Sequence, residues 1–163
     1  MAEALLGGVL LSGLGIRGAA FADGEDWKET DSGLAYSVLK SGEGPKVEAG
    51  DLVVIRFRGQ YKNIVIDDLF RTSEPYYARA AGGKLVAGLE EALLMMRVGD
   101  RWKLKVPGAL AFGQQGRSPA PGRPRIPPNA PIEYEMLVVD IPGKGDPLDL
   151  YFGDTDQPDS DFL

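Results

Sequence analysis

Only one stretch of this chain repeats its apolar residues at helical spacing. In KLVAGLEEALLMMRVG, residues 84–99, Val86, Leu89, Leu93 and Met96 recur at intervals of three and four and make a single stripe. Glu90 and Glu91 stand in its first half and Arg97 near its end, the charge order that a helix dipole favours. Gly99 stands where a left-handed C-cap is wanted. With one short helix available, the rest of the core has to come from strands.

The remaining apolar segments alternate. Residues 34–40 place Leu34, Tyr36 and Val38 on one face, and residues 52–62 form a second strand, β-branched early and alternating late. Residues 67–77 are broken by Ser73-Glu74-Pro75 and predict an irregular strand or bulged edge. Residues 101–106 set Trp102, Leu104 and Val106 against Arg101, Lys103 and Lys105; residues 132–139 set Ile132, Tyr134, Met136 and Val138 against Glu133 and Glu135. Paired antiparallel, these two would bring a Lys row opposite a Glu row on the solvated side. Four to six strands and one helix predict an α+β domain, a twisted antiparallel sheet wrapped around one short α-helix.

Composition removes most catalytic chemistry. There is no cysteine and no histidine, so disulfides, thiol nucleophiles, Ser-His dyads and the commonest metal ligands are all excluded. No metal or cofactor is expected. The net charge of −6 is a terminal feature: six Asp and no Lys or Arg lie in residues 145–163, and the 24 acidic residues less these six equal the 18 basic ones. No basic face points to nucleic acid. At the other end, residues 4–16 are free of charge, and Ala20-Phe21-Ala22 has the form of an export-signal cleavage site. The expected organisation is an export-signal-like apolar segment over 1–22, a linker over 23–32, one domain over 33–141 and an acidic tail over 142–163. Membrane contact would come only through residues 4–16, if they are retained.

Residues 113–131 hold six prolines and three glycines directly ahead of the last strand, a stiff loop whose prolines limit sagging. With the segments before it, this loop carries a resemblance. Val86-x-Gly88 before Glu90-Glu91, Met96 to Gly99, Val106-Pro107, Ala111 to Gly113 and Ile126 to Ala130 occur in the order and spacing seen in the FKBP-type peptidyl-prolyl isomerases, or immunophilins. From about Gly33 to Asp140 the chain is similar to that family, and in particular to its thylakoid-lumen members in plants and algae.

The resemblance implies an FKBP-like fold and a proline-binding cleft. It puts Phe57 and Phe70 on the aromatic wall, Tyr76 on a further aromatic position, and Leu85 and Val86 on the aliphatic pair at the helix start, with the Val86 N–H directed at substrate. Leu89 takes the place of a floor tryptophan, Phe112 that of a loop tyrosine, Ile126 a rim position, and Tyr134 the aromatic of the last strand. Phe57, Phe70, Val86, Phe112 and Tyr134 would act on the twisting amide; Arg71, Tyr76, Leu85, Leu89 and Ile126 would hold the substrate. Arg71 follows the second wall position, where the family commonly has an acidic residue, so a reversed charge beside the cleft is expected. The implied activity is peptidyl-prolyl cis-trans isomerisation of folding polypeptides in the thylakoid lumen, with a bacterial periplasm as the alternative compartment. A second reading is a weakly active or inactive binding module serving a photosynthetic membrane complex. Arg117, Arg123 and Arg125 in the loop are read as solvated, or as facing an acidic partner.

Overall fold

The computed structural model describes residues 25–144. The apolar segment 1–22 and residues 145–163 of the acidic tail lie outside the described residues. Seven strands and one α-helix follow in the order β1 (Trp27–Glu29), β2 (Ala35–Lys40), β3 (Leu52–Tyr61), β4 (Ile64–Asp68), β5 (Tyr76–Arg79), α1 (Ala87–Met95), β6 (Arg101–Val106) and β7 (Ile132–Asp140), with two short 3₁₀ turns at Gly108–Leu110 and Gly113–Gln115. The sheet runs β1-β2-β6-β7-β3-β4, and β5 also pairs with β3. All pairings are antiparallel. The α+β expectation holds, with one strand more than its upper count: β1 falls inside residues 23–32, expected as a linker, and β5 is only four residues long.

Alternation decides which face of the sheet is wet. Leu104, Val106, Ile132, Tyr134, Met136 and Val138 are buried with Val53 and Ile55 of β3, and α1 lays Leu89, Ala92 and Leu93 onto them. Each buried Leu, Ile, Val or Met among them contributes about 1.5–3 kcal/mol on leaving water. The opposite row of β6 and β7 pairs Lys103 with Glu135 and Lys105 with Glu133, the facing of Lys and Glu rows that the alternation predicts. Trp102 is buried in a stacked pair with Tyr36, ring centroids 4.7 Å apart.

The helix is shorter than its sequence pattern. Val86 is its extended N-cap residue and Met96 its extended C-cap (φ −87°, ψ 167°). Turning out of the helix there leaves the Met96 side chain fully buried, while its carbonyl accepts the Val47 N–H at 3.1 Å. Gly99 has a positive φ of +91° but does not cap the helix; it belongs to the turn into β6, where its N–H meets the Val138 carbonyl. Asp100, buried, ties that turn down by accepting the N–H groups of Gly42 and Arg97.

Between β3 and β4 the structure departs from the expectation for residues 67–77. Lys62 and Asn63 both have positive φ, +46° and +63°, and so close a two-residue hairpin of the type that suits strand twist. β4 therefore begins at Ile64, and residues 69–75 form a turn rather than a strand. This shifts the register of every later residue in the segment.

Candidate functional site

An apolar cleft of about 210 Å³ opens over the start of α1. Its lining comes from five places in the chain: Phe57 of β3, Tyr76 of β5, Leu85, Val86 and Leu89 at the helix start, Phe112 after β6, and Tyr134 of β7. Phe57 is its central ring. The rings of Tyr76 and Tyr134 meet it edge-on, each at 6.1 Å with interplanar angles of 76° and 72°, the arrangement that aromatic quadrupoles prefer. Leu89 is 2% exposed and forms the floor.

Backbone approach makes room for these rings. A Cβ on Gly59 would lie 2.7 Å from Tyr134 Cε1 and 3.1 Å from Ile66 Cγ1, so glycine is what lets Tyr134 lie flat on β3. A Cβ on Gly108 would lie 2.1 Å from the Asn129 carbonyl oxygen. That contact, with the Asn129 N–H donating to the Gly113 carbonyl at 2.7 Å, sets the base of the proline-rich loop beside Phe112.

Val86 brings a donor. As N-cap it accepts from the Leu89 and Glu90 N–H groups, and no hydrogen bond among the described residues takes up its own N–H. Its helix start is further organised by Glu90, whose carboxylate accepts the Leu85 N–H at 3.2 Å. Tyr134 supplies a phenol that is 4% exposed. Burial, and secondarily the charge of Asp67, push this phenol well above its ordinary range, with Arg117 opposing. It therefore stays protonated.

Charge is confined to the rim, in Asp67, Lys84, Arg117 and Arg123. Arg117 donates to Asp67 at 2.8 Å and to the Ile66 carbonyl at 3.4 Å, with its guanidinium 5.2 Å from the centre of the Phe112 ring. Arg123 reaches the other carboxylate oxygen at 3.3 Å. The loop presents both arginines because it is itself a small hairpin. Arg117 and Ile126 exchange backbone hydrogen bonds, as do Ala120 and Arg123, around Pro121 and a positive-φ Gly122, a Pro-Gly turn of the kind those residues favour.

Three expected site residues are elsewhere. Phe70 packs its ring under the Arg101 guanidinium at 5.2 Å, and Arg71, 80% exposed in its side chain, pairs with Asp68 at 3.5 Å. The cause is Arg56, which alternates to the face opposite Phe57 and donates to the carbonyls of Leu69, Thr72 and Ser73. It holds the 69–73 turn on the outer side of the sheet. With the hairpin register corrected, the buried residue packed beside Gly59 and Tyr134 is Ile66, and the residue after it is Asp67. The expected charge reversal at Arg71 is thus overturned: the acid is present, one short turn earlier. Ile126 is 1% exposed and belongs to the core rather than the rim. The reading of the loop arginines as solvated is also corrected for Arg117, which is 19% exposed and bonded to Asp67, whereas Arg123 pairs with the same carboxylate and stays largely exposed. The signal that would have found Ile66 and Asp67 is the positive-φ-tolerant Asn63 between two β-branched runs.

A larger depression of about 340 Å³ lies on the outer face between Trp27 and the rows carrying Arg58, Lys103, Lys105, Glu133 and Glu135. Its charged lining makes it a solvated groove. The smaller apolar cleft has the character of a binding site.

Comparison with known proteins agrees with this fold. The profile of the family described as FKBP-type peptidyl-prolyl cis-trans isomerase matches residues 44–139. An Arabidopsis thaliana protein named peptidyl-prolyl cis-trans isomerase FKBP16-3, chloroplastic, is 36% identical over 115 residues, covering 70% of this chain and 51% of its own length. A second A. thaliana protein, named photosynthetic NDH subunit of lumenal location 4, chloroplastic, is 30% identical over 123 residues, 71% of this chain and 57% of its own. The chain spans about half the length of these curated relatives. Among solved structures, FkpA from Escherichia coli superposes with a TM-score of 0.61 at 28% identity, covering 71% of this chain and 51% of its own. AtFKBP13 shares the fold with a TM-score of 0.65 at 24% identity, over 71% and 98%.

Proposed function

The chain belongs to the family of FKBP-type peptidyl-prolyl cis-trans isomerases, and from that premise we propose that residues 33–141 catalyse rotation about X–Pro peptide bonds in polypeptide substrates. The observation that carries this reading is the aromatic cleft over Val86, closed below by Leu89, with a Val86 N–H that no hydrogen bond among the described residues takes up. At about 210 Å³ it is smaller than the roughly 300–1,000 Å³ of drug-sized pockets and suits a single ring.

The chemistry needs no proton transfer, which fits a chain without histidine or cysteine. Amide rotation is opposed by a barrier of about 18–20 kcal/mol because resonance is lost at the twisted geometry. The planar amide is the more polar form, so an apolar pocket that sequesters the pyrrolidine disfavours it relative to the twisted state. In this reading Phe57, Phe112 and Tyr134 form the dry wall, Tyr76, Leu85 and Leu89 complete the seat, and the Val86 N–H donates to a substrate carbonyl in a fixed direction. Lowering the barrier by about 4 kcal/mol accelerates rotation roughly a thousandfold. The test is an isomerisation assay on a proline peptide with folded protein. Acceleration over the spontaneous rate, lost in Phe57→Ala, is expected; the spontaneous rate alone would end the reading.

The compartment we propose is the thylakoid lumen. Two relatives carry chloroplast names, one of them a lumenal one, and the Ala20-Phe21-Ala22 sequence is that of an export cleavage site. The alternative is a periplasm. Mass measurement of the mature N-terminus and fractionation of the source cells distinguish them. A second role, accessory subunit of a photosynthetic membrane complex, is favoured by one observation, the likeness to a protein named as an NDH subunit. Co-migration with a membrane complex in native gels tests it.

A further inference from the structure

Four charged side chains line the mouth of the cleft, and three of them are cations. Lys84, Arg117 and Arg123 face a single carboxylate, Asp67, an excess of two positive charges in a chain whose net charge is −6. The three cations are not equivalent. Arg117 is committed: its side chain is 19% exposed, bonded to Asp67 and laid over Phe112. Arg123 shares the same carboxylate from the far side at 3.3 Å and remains 60% exposed. Lys84 is exposed, one residue before the Leu85-Val86 pair, and no ion pair among the described residues engages it. Asp67 thus neutralises the buried guanidinium, and Arg123 and Lys84 are left with charge to offer an incoming chain.

We propose that this rim makes the cleft selective for acidic proline segments, in which a Glu or Asp stands next to the proline it binds. The proposal rests on the isomerase reading for its kinetic form and names the substrate class of that same site. A carboxylate beside the bound pyrrolidine meets Arg123 or Lys84 at the mouth, whereas a lysine in the same place meets two like charges. The overall negative charge of the protein does not cancel this effect at moderate salt. At an ionic strength of about 0.1 M the Debye length is about 10 Å, so a peptide at the mouth responds to the rim and hardly to the rest of the surface. The acidic preference is a local property, and it should vanish when salt shortens that distance.

The experiment measures kcat/KM for matched proline peptides carrying Glu, Ala or Lys immediately before, or immediately after, the proline. Two exposed ion pairs of this kind correspond to roughly a three- to ten-fold advantage of Glu over Lys at about 0.1 M salt, in at least one of the two placements. The advantage should fall below about two-fold at about 1 M salt, where the Debye length is about 3 Å. It should also shrink in the Lys84→Gln plus Arg123→Gln double variant, whose ratio of Glu to Lys rates is informative at whatever absolute rate remains. Equal rates for Glu and Lys peptides in both placements, or a ratio indifferent to salt, would overturn the proposal without any variant being needed. The Ala peptide separates the two claims. If it is not turned over, the isomerase reading falls, and the affinities of the same peptides, measured by calorimetry, decide the selectivity: a Glu preference that salt removes sustains it, and equal affinities sink it.

Discussion

The Asp67 carboxylate lies 2.8 Å from the Arg117 guanidinium and so joins β4 to the proline-rich loop across the mouth of the cleft. Both side chains are less than one-fifth exposed, so the pair is not an ordinary surface ion pair. Asp67→Asn keeps the shape but leaves Arg117 without its anion. The expected loss is about 1–3 kcal/mol in urea unfolding, the cost of an under-satisfied buried group. Adding Arg117→Met should restore part of it, because removing both charges is milder than removing one.

Arg71 is the opposite case. Its side chain is 80% exposed and its one ion pair among the described residues, with Asp68, is 3.5 Å long. Arg71→Ala should change stability by no more than about 0.5 kcal/mol and leave peptide turnover unaltered. A large drop in turnover would return the charge at this position to the cleft.

Leu89 couples stability to the cleft floor. Leu89→Ala removes a side chain that is 2% exposed and should cost about 2–5 kcal/mol. The same cavity deepens the cleft, so KM for a proline peptide should rise in protein that remains folded, measured well below its melting temperature.

Gly59→Ala probes the wall instead. The new methyl would meet Tyr134 Cε1 at 2.7 Å and Ile66 at 3.1 Å, and overpacking of this kind costs typically about 1–3 kcal/mol. The Tyr134 ring must tilt toward the cleft, so turnover should fall even at temperatures where the variant is fully folded.

At the far end of β7, Lys144 donates to Asp51 and Glu48. The Lys144 bond, then the Glu48 N–H, holds the Asp51 carboxyl below its ordinary range, and the Asp51 and Glu48 bonds raise Lys144. A lowered carboxyl stabilises above its unfolded pKa and loses that contribution as acid protonates it. A raised amine stabilises below its unfolded pKa and loses the contribution as alkali strips its proton. The pair therefore contributes steadily between roughly pH 5 and 9. Melting temperatures of the wild type and Lys144→Met should differ over that window and converge at both extremes. The Tyr134 phenol adds no inflection near neutrality, since burial keeps it protonated there.

The legible parts of this molecule were those with a clean period. Residues 101–106 and 132–139 alternate strictly, and their faces, partners and opposed Lys and Glu rows came out as read. The stripe of Leu89, Leu93 and Met96 was equally plain. What the residues concealed was register. Lys62-Asn63 lacks the glycine that usually betrays a tight hairpin, so residues 63–66 read as connecting chain and Phe70, a turn residue, reads as a wall position. Arg56 then completed the error, since its grip on the 69–73 carbonyls is a contact between segments that no local pattern announces. The Asp67 to Arg117 link joins residues fifty positions apart, and only folding brings them together.

Leucine at the cleft floor has an optical consequence. The chain holds two tryptophans; Trp102 is stacked on Tyr36 and Trp27 lies under the Lys105 ammonium, and neither borders the cleft. Intrinsic emission is therefore a gauge of how well β1, β2 and β6 hold together, and a proline ring settling onto Leu89 passes without a change in colour.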